Sequence, residues 1–273
     1  MAAIAAVCVA CSSDNQEEPV MNQGETAEVT LTFSPYEVTA MTRASVSIAD
    51  VVTKLNVWIY ESGSETAAVH QSSADADFGT VSVTLDKTKT YTLYAVAHKA
   101  ESATLADGVI TFADDKVTHA MYYSTTFSPA TTTSLSCLMN RIVADFRLEI
   151  TDDVPAECKK IRFTISDVFD RWSVTSGGTH QLNRVSTINY GGTSAIFNVY
   201  AITTDAQTLH TVTVEALDND GNPLVPAQAK TFENVPLRNG YKTTYRGAVF
   251  TKQEVTSAFT VENDWQEYDV VDF

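Results

Sequence analysis

From Glu28 onward the chain is written with a period of two. The runs 29–33 (VTLTF), 55–60 (LNVWIY), 80–85 (TVSVTL), 91–97 (YTLYAVA), 141–150 (RIVADFRLEI), 160–165 (KIRFTI), 194–202 (SAIFNVYAI), 210–217 (HTVTVEAL) and 243–250 (TTYRGAVF) all alternate or are rich in Val, Ile, Thr and aromatics. Alternation of that kind puts one side of each strand on a core and the other in water. In 141–150 it predicts Ile142, Ala144, Phe146, Leu148 and Ile150 on one face, and Asp145, Arg147 and Glu149 on a wet one. Between the runs stand turn dipeptides, Asp107-Gly108, Gly177-Gly178, Gly191-Gly192, Asp220-Gly221 and Asn239-Gly240. Short strands with turn signals every dozen or so residues describe an all-β sandwich.

Helical spacing is weak and confined to 44–55, where Val46, Ala49, Val52 and Leu55 fit one face and predict a short helix or turn. A length of 273 residues suits two domains of about 100–150 residues each. The Ser/Thr-rich stretch 124–137, with one Pro, precedes the strongest strand and places the boundary near residue 140. The expected organisation is a leader and tether over 1–23, a sandwich over 24–140 and a second over 141–273.

Residues 1–10 are uncharged, and so short an apolar run cannot cross a bilayer core, which needs about 20 residues. The run fits the second half of a signal peptide, but the first basic residue is Arg43, so the true start is expected upstream or truncated. Cys8-Val9-Ala10-Cys11 resembles the lipobox of bacterial lipoproteins, in which small and aliphatic residues lead into a lipidated cysteine; Cys8 stands where Leu is usual. Cys11 is then the lipidation site, and the polar 12–19 a solvated tether. An ordinary signal peptide with an incidental cysteine is the alternative. Two cysteines remain, Cys137 and Cys158. If 141–150 and 160–165 form a hairpin through 151–157, these two lie roughly 40 Å apart at about 3.3 Å per residue, too far for a disulfide. Both are expected as buried free thiols.

With 34 Asp and Glu against 18 Lys and Arg, the net charge of −16 repels nucleic acid and anionic membrane surfaces, so no nucleic-acid partner is expected. His70, His98, His119, His180 and His210 are dispersed, with no pair at metal spacing. No nucleophile elbow, phosphate loop or dinucleotide fingerprint is present. Asp218, Asp220 and Gly221 start like a calcium loop but lack its closing Glu, and read as a hairpin turn. Asp114-Asp115 and Asp152-Asp153 read as solvated loop tips. Trp58, Trp172 and Trp265 lie in or beside strands, where packing competes with a sugar-stacking role. Catalytic residues, metal ligands and cofactors are therefore all expected to be none.

Three places, 141–165 (RIVADFRLEITDDVPAECKKIRFTI), 232–250 (FENVPLRNGYKTTYRGAVF) and 259–266 (FTVENDWQ), resemble in order and spacing the fimbrillin superfamily of the Bacteroidetes, the subunits of type V pili. The resemblance spans most of the chain. It implies two tandem transthyretin-like sandwiches, export as a lipoprotein to the outer membrane, and assembly into a fimbrium that serves adhesion. It further implies that an arginine-specific protease cuts in the first domain, releases the first strand, and opens a groove filled by a strand from the next subunit. The matching strand here is 27–38, and the matching cut is Arg43-Ala44, Arg43 being the one basic residue before Lys54. The donated strand falls in 258–273, with Phe259, Val261, Tyr268, Val270 and Phe273 as anchors. Two outcomes stay open for these residues: Arg43 is an uncut loop residue and 258–273 completes the chain's own sheet, or both act in exchange. The expected partners are other fimbrial subunits, the outer membrane through lipid on Cys11, and a host or bacterial surface ligand. A surface glycan-binding lipoprotein is the competing function.

Overall fold

The computed structural model describes residues 25–35, 47–192, 195–224, 229–250 and, for the backbone alone, 258–262. Cys11 and the leader, Arg43, Ala44, Trp265, Tyr268, Val270 and Phe273 lie outside the described residues.

In chain order the elements are β1 (Thr26–Pro35), α1 (Ile48–Val51), β2 (Lys54–Glu61), β3 (Ser64–Ser72), β4 (Thr80–Asp86), β5 (Tyr91–His98), β6 (Ala103–Ala106), β7 (Val109–Phe112), β8 (Ala120–Phe127) and β9 (Ser134–Arg141). They continue with β10 (Ala144–Ile150), β11 (Lys160–Ser173), β12 (Gly177–Asn189), β13 (Ile196–Ala201), β14 (Thr208–Leu217), β15 (Lys230–Leu237), β16 (Lys242–Gly247) and β17 (Ala258–Glu262). A chain that alternates this persistently has one solution, the burial of one face of each sheet against another, and the fold is an all-β sandwich.

The first seven-stranded sheet runs β3-β2-β5-β8-β9-β1-β4. It bends between β8 and β9, which pair only at Met121↔Arg141 and Tyr122↔Asn140 before they diverge. β8 then continues beside β5, and β9 beside β1. The two arms close on a core in which Val29, Leu31, Phe33 and Val81 meet Leu55, Val57, Leu93 and Met121. α1 plugs one end of this core with Ile48 and Val51. It starts at a capping box, the Ser47 hydroxyl accepting from Ala49 and the Asp50 carboxylate accepting from the Ser47 N–H. The helix is shorter than the 44–55 spacing suggested because β2 claims Leu55.

A second core lies between the sheet β13-β10-β16-β17 and the strands β15-β14-β11-β12. Phe146, Leu148, Phe197 and Tyr245 from one side meet Phe163, Val212, Val214 and Phe232 from the other. The rings of Phe232 and Tyr245 meet edge-on, their centroids 4.9 Å apart.

Four sequence expectations change. The run 141–150 is not one strand: β9 ends at Arg141, β10 begins at Ala144, and Ile142 and Val143 turn into a separate cluster. Asp145 is 1% exposed, so its face is not wet there. The stretch 124–137 forms the end of β8, a turn and the start of β9. β10 and β11 form no hairpin, because they enter opposite sheets. Cys137 and Cys158 are nonetheless buried and free, each in a different core. Asp152 is no solvated loop tip either: its carboxylate accepts from the N–H groups of Val249 (2.8 Å) and Phe250 (2.7 Å) and ties that segment to the end of β10.

The two cores are joined by a third cluster, built around the β6–β7 hairpin. Asp107 and Gly108, at φ 50° and 72°, make the two-residue turn that their sequence announces. β7 then pairs with the far end of β11 through Val109↔Ser173, Ile110↔Trp172 and Thr111↔Arg171. Trp58, Val96, Ile110, Phe112, Val143 and Trp172 pack in this cluster. Opposite it, Gly178 is required by a close approach, since a Cβ there would stand 2.5 Å from the Phe169 ring and 2.9 Å from the Thr203 carbonyl oxygen.

Candidate strand-exchange site

β1 is an inner strand held on both sides. It pairs antiparallel with β4 over Thr26↔Asp86 to Thr32↔Thr80, and parallel with β9 over Thr30↔Ser134 to Pro35↔Met139. Val29, Leu31 and Phe33 are 0%, 0% and 3% exposed, whereas Glu28 and Thr32 face solvent. Full burial of three such side chains contributes roughly 1.5–3 kcal/mol each. β4, at the edge of its sheet, has no strand neighbour but β1 among the described residues. Without β1, therefore, β4 loses its anchor and β9 presents an open edge above an apolar floor.

Cys137 lies on that floor, level with Phe33 on the parallel neighbour. Burial pushes its thiol up to about 12, so it stays protonated and inert while β1 is in place. β9 was not apparent as a strand from its Ser/Thr content. The signal available was the alternation of Leu135, Cys137 and Met139, of which the last two are fully buried.

The segment that carries Arg43 and Ala44 follows β1 directly in sequence and lies outside the described residues. At the other end of the chain, β17 pairs antiparallel with β16, with Phe259 opposite Tyr245 and Val261 opposite Thr243. These two anchors thus sit on the edge of the second core's sheet, remote in the topology from β1. The backbone arrangement corresponds to the outcome in which 258–262 extends the chain's own sheet.

The remaining candidates disperse. Trp58 and Trp172 are 4% and 8% exposed in the joining cluster, Trp58 edge-on to His70 and Trp172 against Tyr122, so neither offers a face to a sugar. Asp218 accepts from the Asn222 backbone (2.8 Å) and side-chain amide (3.2 Å), which makes 218–222 a self-contained turn. Among the described residues no three His, Cys, Asp or Glu side chains converge as a metal site would require.

Two histidines are structural. His98 Nε2 donates to Asn56 Oδ1 (3.2 Å), and the Asn56 amide donates in turn to the Ala103 carbonyl. His119 Nδ1 donates to the Val51 carbonyl (3.1 Å), leaving Nε2 as the acceptor that faces the Arg141 guanidinium. Burial lowers His98 from 6.5 to about 4, and burial together with Arg141 lowers His119 well below its ordinary value. Both are neutral in the fold and protonated more readily in the unfolded chain. Stability is therefore full above pH 6.5 and declines as pH falls towards 4, by about 3 kcal/mol for His98. Urea midpoints measured at pH 7.5 and pH 4.5 are expected to differ less in His98→Gln than in the parent; an unchanged difference would exclude this assignment.

No known protein-family profile matches the sequence, and no curated protein matches it. Solved structures do match in fold. Over 88% of this chain and 99% of the other, a protein from Bacteroides thetaiotaomicron provisionally described as polysaccharide-binding superposes with a TM-score of 0.54 at 11% identity. A Bacteroides ovatus protein provisionally described as an adhesin gives 0.52 at 12% identity, covering 81% of this chain and 89% of its own. A Bacteroides uniformis protein provisionally described as a cell-adhesion protein gives 0.51 at 14%, over 88% and 99%. The all-β architecture of this chain, over most of its length, is the architecture of these Bacteroides proteins.

Proposed function

We propose that the chain is a non-enzymatic fimbrial subunit of the cell surface, exported as a lipoprotein through Cys11 and assembled by strand exchange to serve adhesion. One observation carries the reading. β1 is an inner strand with an alternating apolar face, and it is followed at once by the segment that holds the first basic residue of the chain, Arg43. A cut at Arg43-Ala44 leaves β1 attached only by side chains and ladder hydrogen bonds, and a strand of equal pattern restores both. The donor is the C-terminal segment with Phe259, Val261, Tyr268, Val270 and Phe273, which leaves its own edge position on β16 to reach the next subunit. The provisional descriptions of the structural relatives as adhesins support a surface role, and the partners are other subunits, the outer membrane and a surface ligand. The reading divides the chain into domains 24–140 and 141–273 near the end of β9, a division that the presence of two cores supports. The burial of Trp58 and Trp172 takes two of three stacking candidates from the glycan-binding alternative.

Treatment of the folded chain with an arginine-specific protease tests this reading. A new N-terminus at Ala44, followed by sodium dodecyl sulphate-resistant ladders, is the expected result. Resistance at Arg43, or cutting with no polymer formed, would remove the strand-exchange assignment.

A further inference from the structure

Across the outer face of β2, β5 and β8 runs a diagonal of three tyrosines that lie outside both sandwich cores. Tyr60 stands opposite Thr92, Tyr94 opposite Trp58 and Ser124, and Tyr122 opposite Val96, so each tyrosine is one strand over and two residues along from the last. All three are half-buried and rest against the joining cluster. The rings of Tyr60 and Tyr94 meet edge-on with centroids 5.7 Å apart, and the Tyr122 ring lies 5.6 Å from that of Trp172. The diagonal ends where the Tyr122 hydroxyl donates to the Val174 carbonyl (3.4 Å), just past β11, so that the sheet face and the strand end meet in a corner. At about 7–8 Å per diagonal step the stripe is roughly 15 Å long, enough for several sugar rings.

The polar groups along the stripe narrow what it can hold. Paired with the three tyrosines across the sheet are Glu65, Thr92, Trp58, Ser124, Val96 and Asn140. One of these is charged, and it is an exposed residue whose carboxylate lies 3.5 Å from the Tyr60 hydroxyl. Burial raises Tyr122 to about 12, burial and then Glu65 raise Tyr60, and Tyr94 adds to both, so the Tyr60 and Tyr122 phenols stay protonated as donors. A pyranose has the complementary surface: an apolar face of C–H groups that packs on an aromatic ring, and a rim of hydroxyls that needs donors and acceptors. A sulfate or carboxylate on that rim would meet Glu65 with no cation among the paired residues to offset it, in a protein of net charge −16. We propose that this corner is a binding site for a neutral oligosaccharide, whose rings lie along Tyr60, Tyr94 and Tyr122 and whose hydroxyls bond to Glu65, Ser124 and the phenols. Trp58 and Trp172, too buried to stack on a sugar, form the base on which the tyrosines rest. The proposal takes from the fimbrial reading only the placement of the chain at the cell surface; the site lies away from β1 and needs no cut at Arg43.

The test uses the full chain, unproteolysed, so that its outcome is separate from that of strand exchange. The probes for calorimetric titration are hexasaccharides of β-1,4-linked glucose and of β-1,4-linked galactose, with a hexamer of galacturonic acid as the acidic counterpart. Expected are saturable binding of at least one neutral probe, little changed by salt, and affinity lower by about tenfold or more for the acidic one. Tyr60→Ala and Tyr94→Ala are each expected to weaken the neutral probe by about tenfold or more with an unchanged circular dichroism spectrum, whereas Tyr60→Phe, which keeps the ring, stays within about threefold. Should the alanine variants misfold, Glu65→Lys on the exposed edge strand serves in their place, and is expected to bring the acidic hexamer to the affinity of the neutral one. No binding of either neutral probe, equal affinity of the parent for the acidic hexamer, or binding unaffected by the substitutions would overturn the proposal.

Discussion

Leu31→Asp is expected to expel β1 and to cost about 4 kcal/mol or more of stability, because it leaves an unpaired carboxylate in a site that is fully buried. The effect does not stop at one strand. β4 is held in its sheet by β1 alone among the described residues, and the parallel edge of β9 is covered by nothing else there. Cys137 reports the event directly. Its thiol, inert in the parent because burial raises it to about 12, is expected to react with a colorimetric disulfide reagent at pH 7.5 at a rate at least a hundredfold higher, on the order of an ordinary exposed thiol. Leu31→Ala, at about 2–5 kcal/mol, is expected to leave the thiol protected. If Leu31→Asp leaves both the urea midpoint and thiol reactivity unchanged, β1 is not the structural keystone described above.

The second large effect is expected at the joining cluster. Trp172→Ala removes a ring that is 8% exposed and packs on Tyr122 with centroids 5.6 Å apart, at a cost of about 3–5 kcal/mol. Because this ring sits where β7 joins β11, the loss falls on the contact between the two cores rather than inside either. Calorimetry is expected to show one transition in the parent and two in the variant. A variant that melts in a single transition would mean that the cores are coupled elsewhere, for instance through the hydrogen bonds from the Arg184 guanidinium to the Asp115 and Val117 carbonyls.

What the sequence made legible follows from burial. β1, β4 and β14 sit on cores with one face, and their alternation was sufficient to find them; β2 and β5 are buried on both faces over 55–59 and 95–98, and their β-branched and aromatic content marked them. β3 and β12 are edge strands with few buried positions, Gln71 in one and Arg184 in the other, so neither has an apolar period to read. β11 is longer than the run 160–165 because a bulge between Ile165 and Val168 shifts its phase, and the alternation restarts with Val168, Asp170 and Trp172 inward. A buried Asp in that series hides a strand from any hydrophobic pattern; its partner His180 comes from the pairing of β11 with β12. Arg43 could be named as a candidate cleavage residue from a resemblance and from its isolation among cations, but the surroundings of β1 could not. β9 and β4 meet β1 only through long-range pairing, and no local pattern announces that β1 lies between them.

The β6–β7 hairpin has a consequence for biosynthesis. It is excised from the first sheet, between β5 and β8, yet its strand partner is the end of β11, some 60 residues further along the chain. On a ribosome that adds about 5–20 residues per second, Ile110 and Phe112 therefore wait several seconds for the surface that covers them. The first core can close in that time, but it does so with an apolar hairpin still searching for a partner. Any chaperone that meets the chain at that stage has a definite place to hold it.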